Sequence, residues 1–92
     1  FSGEVVAVGD AVTAFAVGDR VFGTSGYRFG AHAEYVCVRE GGLIAHKPDG
    51  LSFEEAAAIP DGALAARAAL RRIGLREGQR IVVYGASGAV GR

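Results

Sequence analysis

Seven consecutive small residues, Gly85-Ala86-Ser87-Gly88-Ala89-Val90-Gly91, follow the apolar run Ile81-Val82-Val83-Tyr84. Glycines spaced this closely let backbone amides approach an outside group that side chains would hold off. The group such amides suit is an anion, because the unpaired N–H groups at a helix opening carry partial positive charge. A strand, a glycine-rich turn and a helix opening together hold the diphosphate of a dinucleotide. The register over the last two glycines is Ala86-Ser87-Gly88-Ala89-Val90-Gly91, so the first glycine of G-x-G-x-x-G is shifted. Gly88 is placed to admit a phosphate, Gly91 to let helix pack on strand, and Ser87 to add a hydroxyl donor. Gly85, Ala86, Ser87, Gly88, Ala89, Val90 and Gly91 are therefore the candidate cofactor-binding residues, with a nicotinamide dinucleotide as the cofactor. A turn that only joins a strand to a helix would read similarly. The residue that reads the ribose is expected about 20 positions further on, past Arg92, so NAD and NADP are not separated here.

The elements that must position this turn follow from punctuation and periodicity. Ile81 to Tyr84 is apolar without alternation, which predicts a parallel strand covered on both faces. Upstream, Gly62 to Ile73 reads as a helix with Ala63, Ala66, Leu70 and Ile73 on one face and Arg67 and Arg71 off it. Gly74 is its C-cap. Asp61 is expected as its N-cap, and Pro60 is expected to end or bend an earlier helix. That earlier helix opens at Ser52-Phe53-Glu54-Glu55, which has the form of a capping box. The first half of the chain is cut into short strands by glycines. Gly3 to Gly9, Val17 to Gly23, Ala31 to Val38 (with Ala33, Tyr35 and Cys37 on one face) and Leu43 to His46 suggest a compact β barrel or sheet.

Composition narrows the classes. Ninety-two residues, half of them apolar and 22% charged, describe a globular chain. Ten acidic residues balance ten basic ones, which gives no footprint for nucleic acid or an anionic membrane. Nothing approaches the roughly 18 apolar residues of a membrane span, and one cysteine forms neither an internal disulfide nor a four-cysteine zinc site. A reducing, cytoplasmic setting is the default.

The other reactive side chains have simpler explanations. His32 is expected on an edge strand and His46 in a solvated turn, with proton transfer by His32 as the alternative. Cys37 lies between valines and reads as a buried structural thiol. Tyr27 and Arg28 belong to an exposed loop, and Tyr84 is expected to pack.

Together these segments resemble the medium-chain dehydrogenase/reductase superfamily, within it the zinc-independent quinone oxidoreductase branch. Phe1 to Gly9 looks like the second half of that family's G-H-E-x-x-G-x-x-x-x-x-G signature. Ala16-Val17-Gly18-Asp19-Arg20-Val21 looks like its V-G-D-x-V turn, and Gly30 to Val36 is similar to its G-A-x-A-E-Y strand. Lys47 to Ser52 followed by Glu55-Ala56-Ala57 looks like its lead into a crossing helix, and Tyr84 to Gly91 like its cofactor turn. The resemblance implies a mixed α/β fold, a partial GroES-like β barrel joined by helices to the first strand and turn of a Rossmann domain. Residues 1–60 would be the C-terminal part of the catalytic domain, and 61–92 the crossing helix and the start of a truncated Rossmann domain. The connection from Phe22 to Gly30 is short and lacks the four-cysteine lobe of zinc-dependent relatives. Their third catalytic zinc ligand, normally cysteine, aligns with Asp61, for which helix capping is the competing explanation. Ala65 stands where the family often has Thr near the nicotinamide.

The function implied is hydride transfer from NADPH or NADH to a quinone or activated double bond, without zinc and with no acid–base residue nominated. NADPH is favoured by the resemblance alone. The substrate is expected to be a small molecule (quinone, enone, or alcohol/aldehyde), and the complete protein a homodimer. The alternatives are a zinc-dependent alcohol dehydrogenase, an enoyl reductase module of a synthase, and a non-catalytic truncated fragment. The chain is expected to be part of a longer enzyme and, by itself, neither to turn over substrate nor to bind cofactor tightly.

Overall fold

The computed structural model describes residues 1–92. It divides into two compact units, Phe1–Ala58 and Ile59–Arg92.

The first unit is a three-stranded antiparallel sheet in the order β1 (Ser2–Glu4), β2 (Arg20–Gly23), β3 (Ile44–His46). The central strand pairs Val21 with Gly3 on one side and with His46 on the other. Val21 is correspondingly 5% exposed. The ladder continues past the strand ends: Val5 N–H donates to the Asp19 carbonyl (2.9 Å) and Lys47 N–H to the Arg20 carbonyl (2.8 Å). Gly18, at φ +93°, makes the turn into β2. That turn is closed from both ends, by Asp19 N–H to the Ala16 carbonyl (3.1 Å) and by Ala16 N–H to Asp19 Oδ2 (2.8 Å). Gly23 admits the Phe1 ring, which would lie 2.8 Å from a Cβ there.

Helix α1 (Phe53–Ala57) opens on the capping box expected from sequence. Glu55 N–H donates to Ser52 Oγ (3.1 Å), and Ser52 N–H to Glu55 Oε2 (2.8 Å). Its one buried residue, Ala56, is fully covered, and the helix packs on β1 and β2. Lys47 is buried just before it. Its ammonium donates to the carbonyls of Pro48 (2.9 Å) and Leu51 and lies 5.5 Å from the centre of the Phe53 ring. Two carbonyls and a ring face therefore replace the water a buried cation loses.

The second unit contains α2 (Pro60–Arg72) followed by irregular chain and turns. The helix starts one residue before the expected cap. Ile59 occupies the N-cap position, Pro60 is the first helical residue, and Asp61 lies inside the first turn. Proline fits there because its missing N–H is one that no helix opening pairs, and its fixed φ is already helical. Asp61 therefore meets the positive end of the helix dipole without capping it. Gly74, at φ +63°, follows the helix, and its N–H donates to the Arg71 carbonyl (3.2 Å). No helix is long and apolar enough to cross a membrane.

Two expected strands do not form. Residues 31–38 make bends and irregular chain, and Ile81–Tyr84 pairs with nothing. A strand needs a hydrogen-bonding neighbour, and neither segment pairs with one. Phe29 (φ +53°) and Gly30 (φ +84°) also turn the backbone out of the extended region just before the first of them. The expected packing fails with the pairing: Cys37 is exposed, Val82 is nearly so in full, and Tyr84 is fully exposed.

A single carboxylate ties two loops of the first unit together. Glu40 Oε1 accepts the N–H groups of Thr13 (2.7 Å) and Ala14. Those bonds, Ala14's first, hold its pKa below the ordinary glutamate value of 4.5. A depressed folded pKa means that this stabilisation is fully present above the unfolded value and is lost as pH falls through the folded one. Hydrogen exchange should therefore find the Thr13 and Ala14 amides protected at neutral pH, with protection disappearing as acid is added below pH 4.5. In Glu40→Gln the protection should be weak at every pH.

Candidate functional site

The glycine-rich segment is a succession of turns exposed from Tyr84 to Val90. Gly85, at φ +82°, reverses the chain in a conformation that side-chain-bearing residues rarely adopt. Gly88 N–H donates back to the Gly85 carbonyl (3.0 Å). Gly91 and Arg92 N–H then both donate to the Gly88 carbonyl, at 3.2 and 3.3 Å, so the backbone starts to wind helically at Gly88. The amides of Ala86, Ser87, Ala89 and Val90 have no hydrogen-bond partner. Four open donors among small side chains can bind an anion.

The glycines of this unit are required for different reasons. A Cβ on Gly91 would come within 2.8 Å of Ala86 Cα and 2.9 Å of the Gly85 carbonyl carbon. A Cβ on Gly62, buried in the first turn of α2, would overlap the Ala89 carbonyl, with its carbon 2.9 Å away. Both substitutions press backbone on backbone. Gly88 differs: its φ is not positive, and a Cβ would meet only the Gly85 oxygen, at 3.4 Å, an ordinary contact. Nothing inside the chain demands glycine at position 88.

Sequence reasoning identified the turn but treated Gly62 only as the first residue of a helix. The available signal was a glycine followed without interruption by strong helix formers, Ala63 to Arg72. Separately, α2 borders an open groove of about 580 Å³ lined by Ala63, Ala66, Leu70 and Leu75 with Arg67 and Arg71. None of Gly85 to Gly91 lines it.

The other candidates lie apart. His46 ends β3, where Phe15 stacks beside it (4.9 Å between centroids) and Asp19 Oδ2 lies 3.9 Å from Nδ1. His32 and Tyr27 are exposed. Asp61 and Ala65 are exposed on α2, and no three His, Cys, Asp or Glu side chains converge within the chain.

Residues 1–49 match the alcohol dehydrogenase GroES-like domain, more than half of the chain. The chain is 44% identical to a quinone oxidoreductase of Pseudomonas aeruginosa over 98% of its own length and 27% of that protein. The chain belongs to the medium-chain dehydrogenase/reductase superfamily, in its quinone oxidoreductase-like branch. It is also 40% identical to a 2-methylene-furan-3-one reductase of Solanum lycopersicum, covering 98% of the chain and 25% of that enzyme. In three dimensions it superposes on a quinone oxidoreductase from Coxiella burnetii with a TM-score of 0.83 at 35% identity, covering 99% of the chain and 29% of that structure. The chain thus spans about a quarter of the length of the curated relatives it matches. This is an oxidoreductase family whose members depend on nicotinamide nucleotides and act on small molecules. The GroES-like match accounts for the antiparallel sheet of the first unit.

The glycine geometry predicts separable effects on folding. Gly91→Ala and Gly85→Ala should each lower the melting temperature of the complete protein. Gly88→Ala should leave it unchanged or raise it slightly, since the unfolded chain loses freedom at a position with room for a methyl group. Differential scanning calorimetry of the three variants checks this; a loss of stability at position 88 equal to that at 91 would contradict the geometry.

Proposed function

We propose that this chain is the junction segment of an NAD(P)H-dependent oxidoreductase that reduces a quinone or an activated double bond without zinc. The observation that carries this reading is the contrast at Gly88. The turn offers four free amides, and the one glycine among Gly85, Gly88 and Gly91 that neither packing nor a positive φ requires is the one assigned to phosphate approach. A group outside the turn is then the reason for glycine there. The relatives' names supply the substrate class, a quinone in one and a methylene-furanone in the other. Both names describe an electron-poor carbon able to accept hydride.

On this reading Gly85 to Gly91 hold the diphosphate of NADPH or NADH. Gly88 gives the phosphate access, Gly91 fixes the turn, and the amides of Ala86, Ser87, Ala89 and Val90 orient the charge. When bound, the reduced nicotinamide supplies a hydride. The chain's own contribution is to place the cofactor in a fixed orientation, which is where much of the rate acceleration of such reactions originates. NADPH is favoured over NADH on family grounds. Residues 1–60 belong to the GroES-like catalytic domain, and 61–92 are the crossing helix and the opening of a Rossmann domain whose sheet gives Ile81–Tyr84 its neighbours. The missing cysteine lobe speaks against the structural zinc, and the absence of a catalytic zinc is supported by Asp61, whose charge the dipole of α2 stabilises without a metal. A cytoplasmic homodimer belongs to the same proposal.

Two experiments test it on the complete protein. After exhaustive chelation it should still oxidise NADPH or NADH with a quinone acceptor; activity lost on chelation and restored by zinc would reverse the metal assignment. Gly88→Ala should raise the dissociation constant for the nucleotide by about tenfold, read by nicotinamide fluorescence, while the melting temperature holds. Undiminished nucleotide affinity in that variant would remove the support that Gly88 gives.

A further inference from the structure

We propose that Gly62 is a positioning residue for the nucleotide-binding turn: the Cβ it lacks lets the first turn of α2 seat directly against the Ala89 backbone. The inference rests on the cofactor reading above and extends it to a residue outside the glycine-rich motif.

The ten residues after Gly62, Ala63 to Arg72, are all alanine, leucine or arginine, the strongest helix formers. Glycine is a poor helix former, so its presence in the first turn has a local cost that must be offset elsewhere. Nothing in its own backbone offsets it, because Gly62 has no positive φ. The compensation is contact. Gly62 is buried, and the space its Cβ would fill holds the Ala89 carbonyl. Backbone cannot swing aside as a long side chain does, so any residue larger than glycine must move α2 or the turn. Ala89 stands between Gly88 and Val90, and the free amides of Ala89 and Val90 move with it. Hydrogen bonds weaken steeply with misalignment, so a displacement of a few tenths of an ångström changes how these donors meet a diphosphate. Gly91 fixes the same turn from its other side by its close approach to Gly85 and Ala86. The turn is thereby held between two backbone contacts, one of which comes from a helix earlier in the chain.

The test uses the complete protein with Gly62→Ala, Gly62→Val and, as a control, Ala68→Gly, which weakens the same helix at an exposed position. Affinity for NADPH and NADH is measured by nicotinamide fluorescence, and KM is measured separately for nucleotide and quinone. Gly62→Ala should raise the nucleotide dissociation constant and KM by about tenfold, and Gly62→Val further, with the quinone KM changed by less than about twofold. Ala68→Gly should lower the melting temperature and leave nucleotide affinity within about twofold. In the unsubstituted protein, nucleotide should slow hydrogen exchange at Ala63 to Ala66 together with Ala86 to Val90, a measurement that decides the matter even where the variants fail to fold. Wild-type affinity in Gly62→Ala, or protection confined to Ala86 to Val90, would overturn the positioning role and leave the nucleotide site standing. An unsubstituted protein that binds neither nucleotide would remove the cofactor reading, and this inference with it.

Discussion

In the second unit, two carbonyl groups occupy the places where side chains would otherwise be. The Ala89 carbonyl fills the Cβ space of Gly62, and the Gly85 carbonyl fills that of Gly91. Close packing of backbone on backbone is stiff, because neither side has a rotamer to change. Together with the left-handed backbone at Gly85, these two contacts hold the conformation of the turn and the direction of its free amides. Side chains contribute little here, since every residue from Leu75 to Val90 is exposed.

The first unit depends on β2. It is the one strand with a partner on each side, and the loops around it are secured by polar groups rather than by a large core. Only Val21 and Ala56 are buried apolar residues. Glu40 gathers two amides from a distant loop, Asp19 closes its own turn, and Lys47 gathers carbonyls in front of α1. In a chain with so little buried apolar surface, bonds of this kind carry an unusual share of the order.

What could be read from the amino-acid sequence was what is decided within a few residues. Ser52 and Glu55 announce a helix start because their bonds are local, Gly18-Asp19 announces a turn, and Gly74 a helix end. What could not be read was what depends on a neighbour. The alternation through Ala33, Tyr35 and Cys37 names a face but not a partner, and the apolar run Ile81–Tyr84 likewise describes a strand without supplying a sheet. Pro60 was ambiguous because the same fixed φ can finish one helix or start another. For the candidate site, the sequence identified the small residues. It did not distinguish Gly88, which internal packing leaves free, from Gly62 and Gly91, because that distinction lies in contacts made by folding.

Lys47 is the only lysine in these 92 residues, and its ammonium is committed to two carbonyls under the Phe53 ring. The segment consequently presents no free side-chain amine to its surroundings. Acylating reagents, amine-directed cross-linkers and enzymes that modify lysine would find this stretch silent while folded, and labelling at position 47 would report that the lead into α1 had come apart.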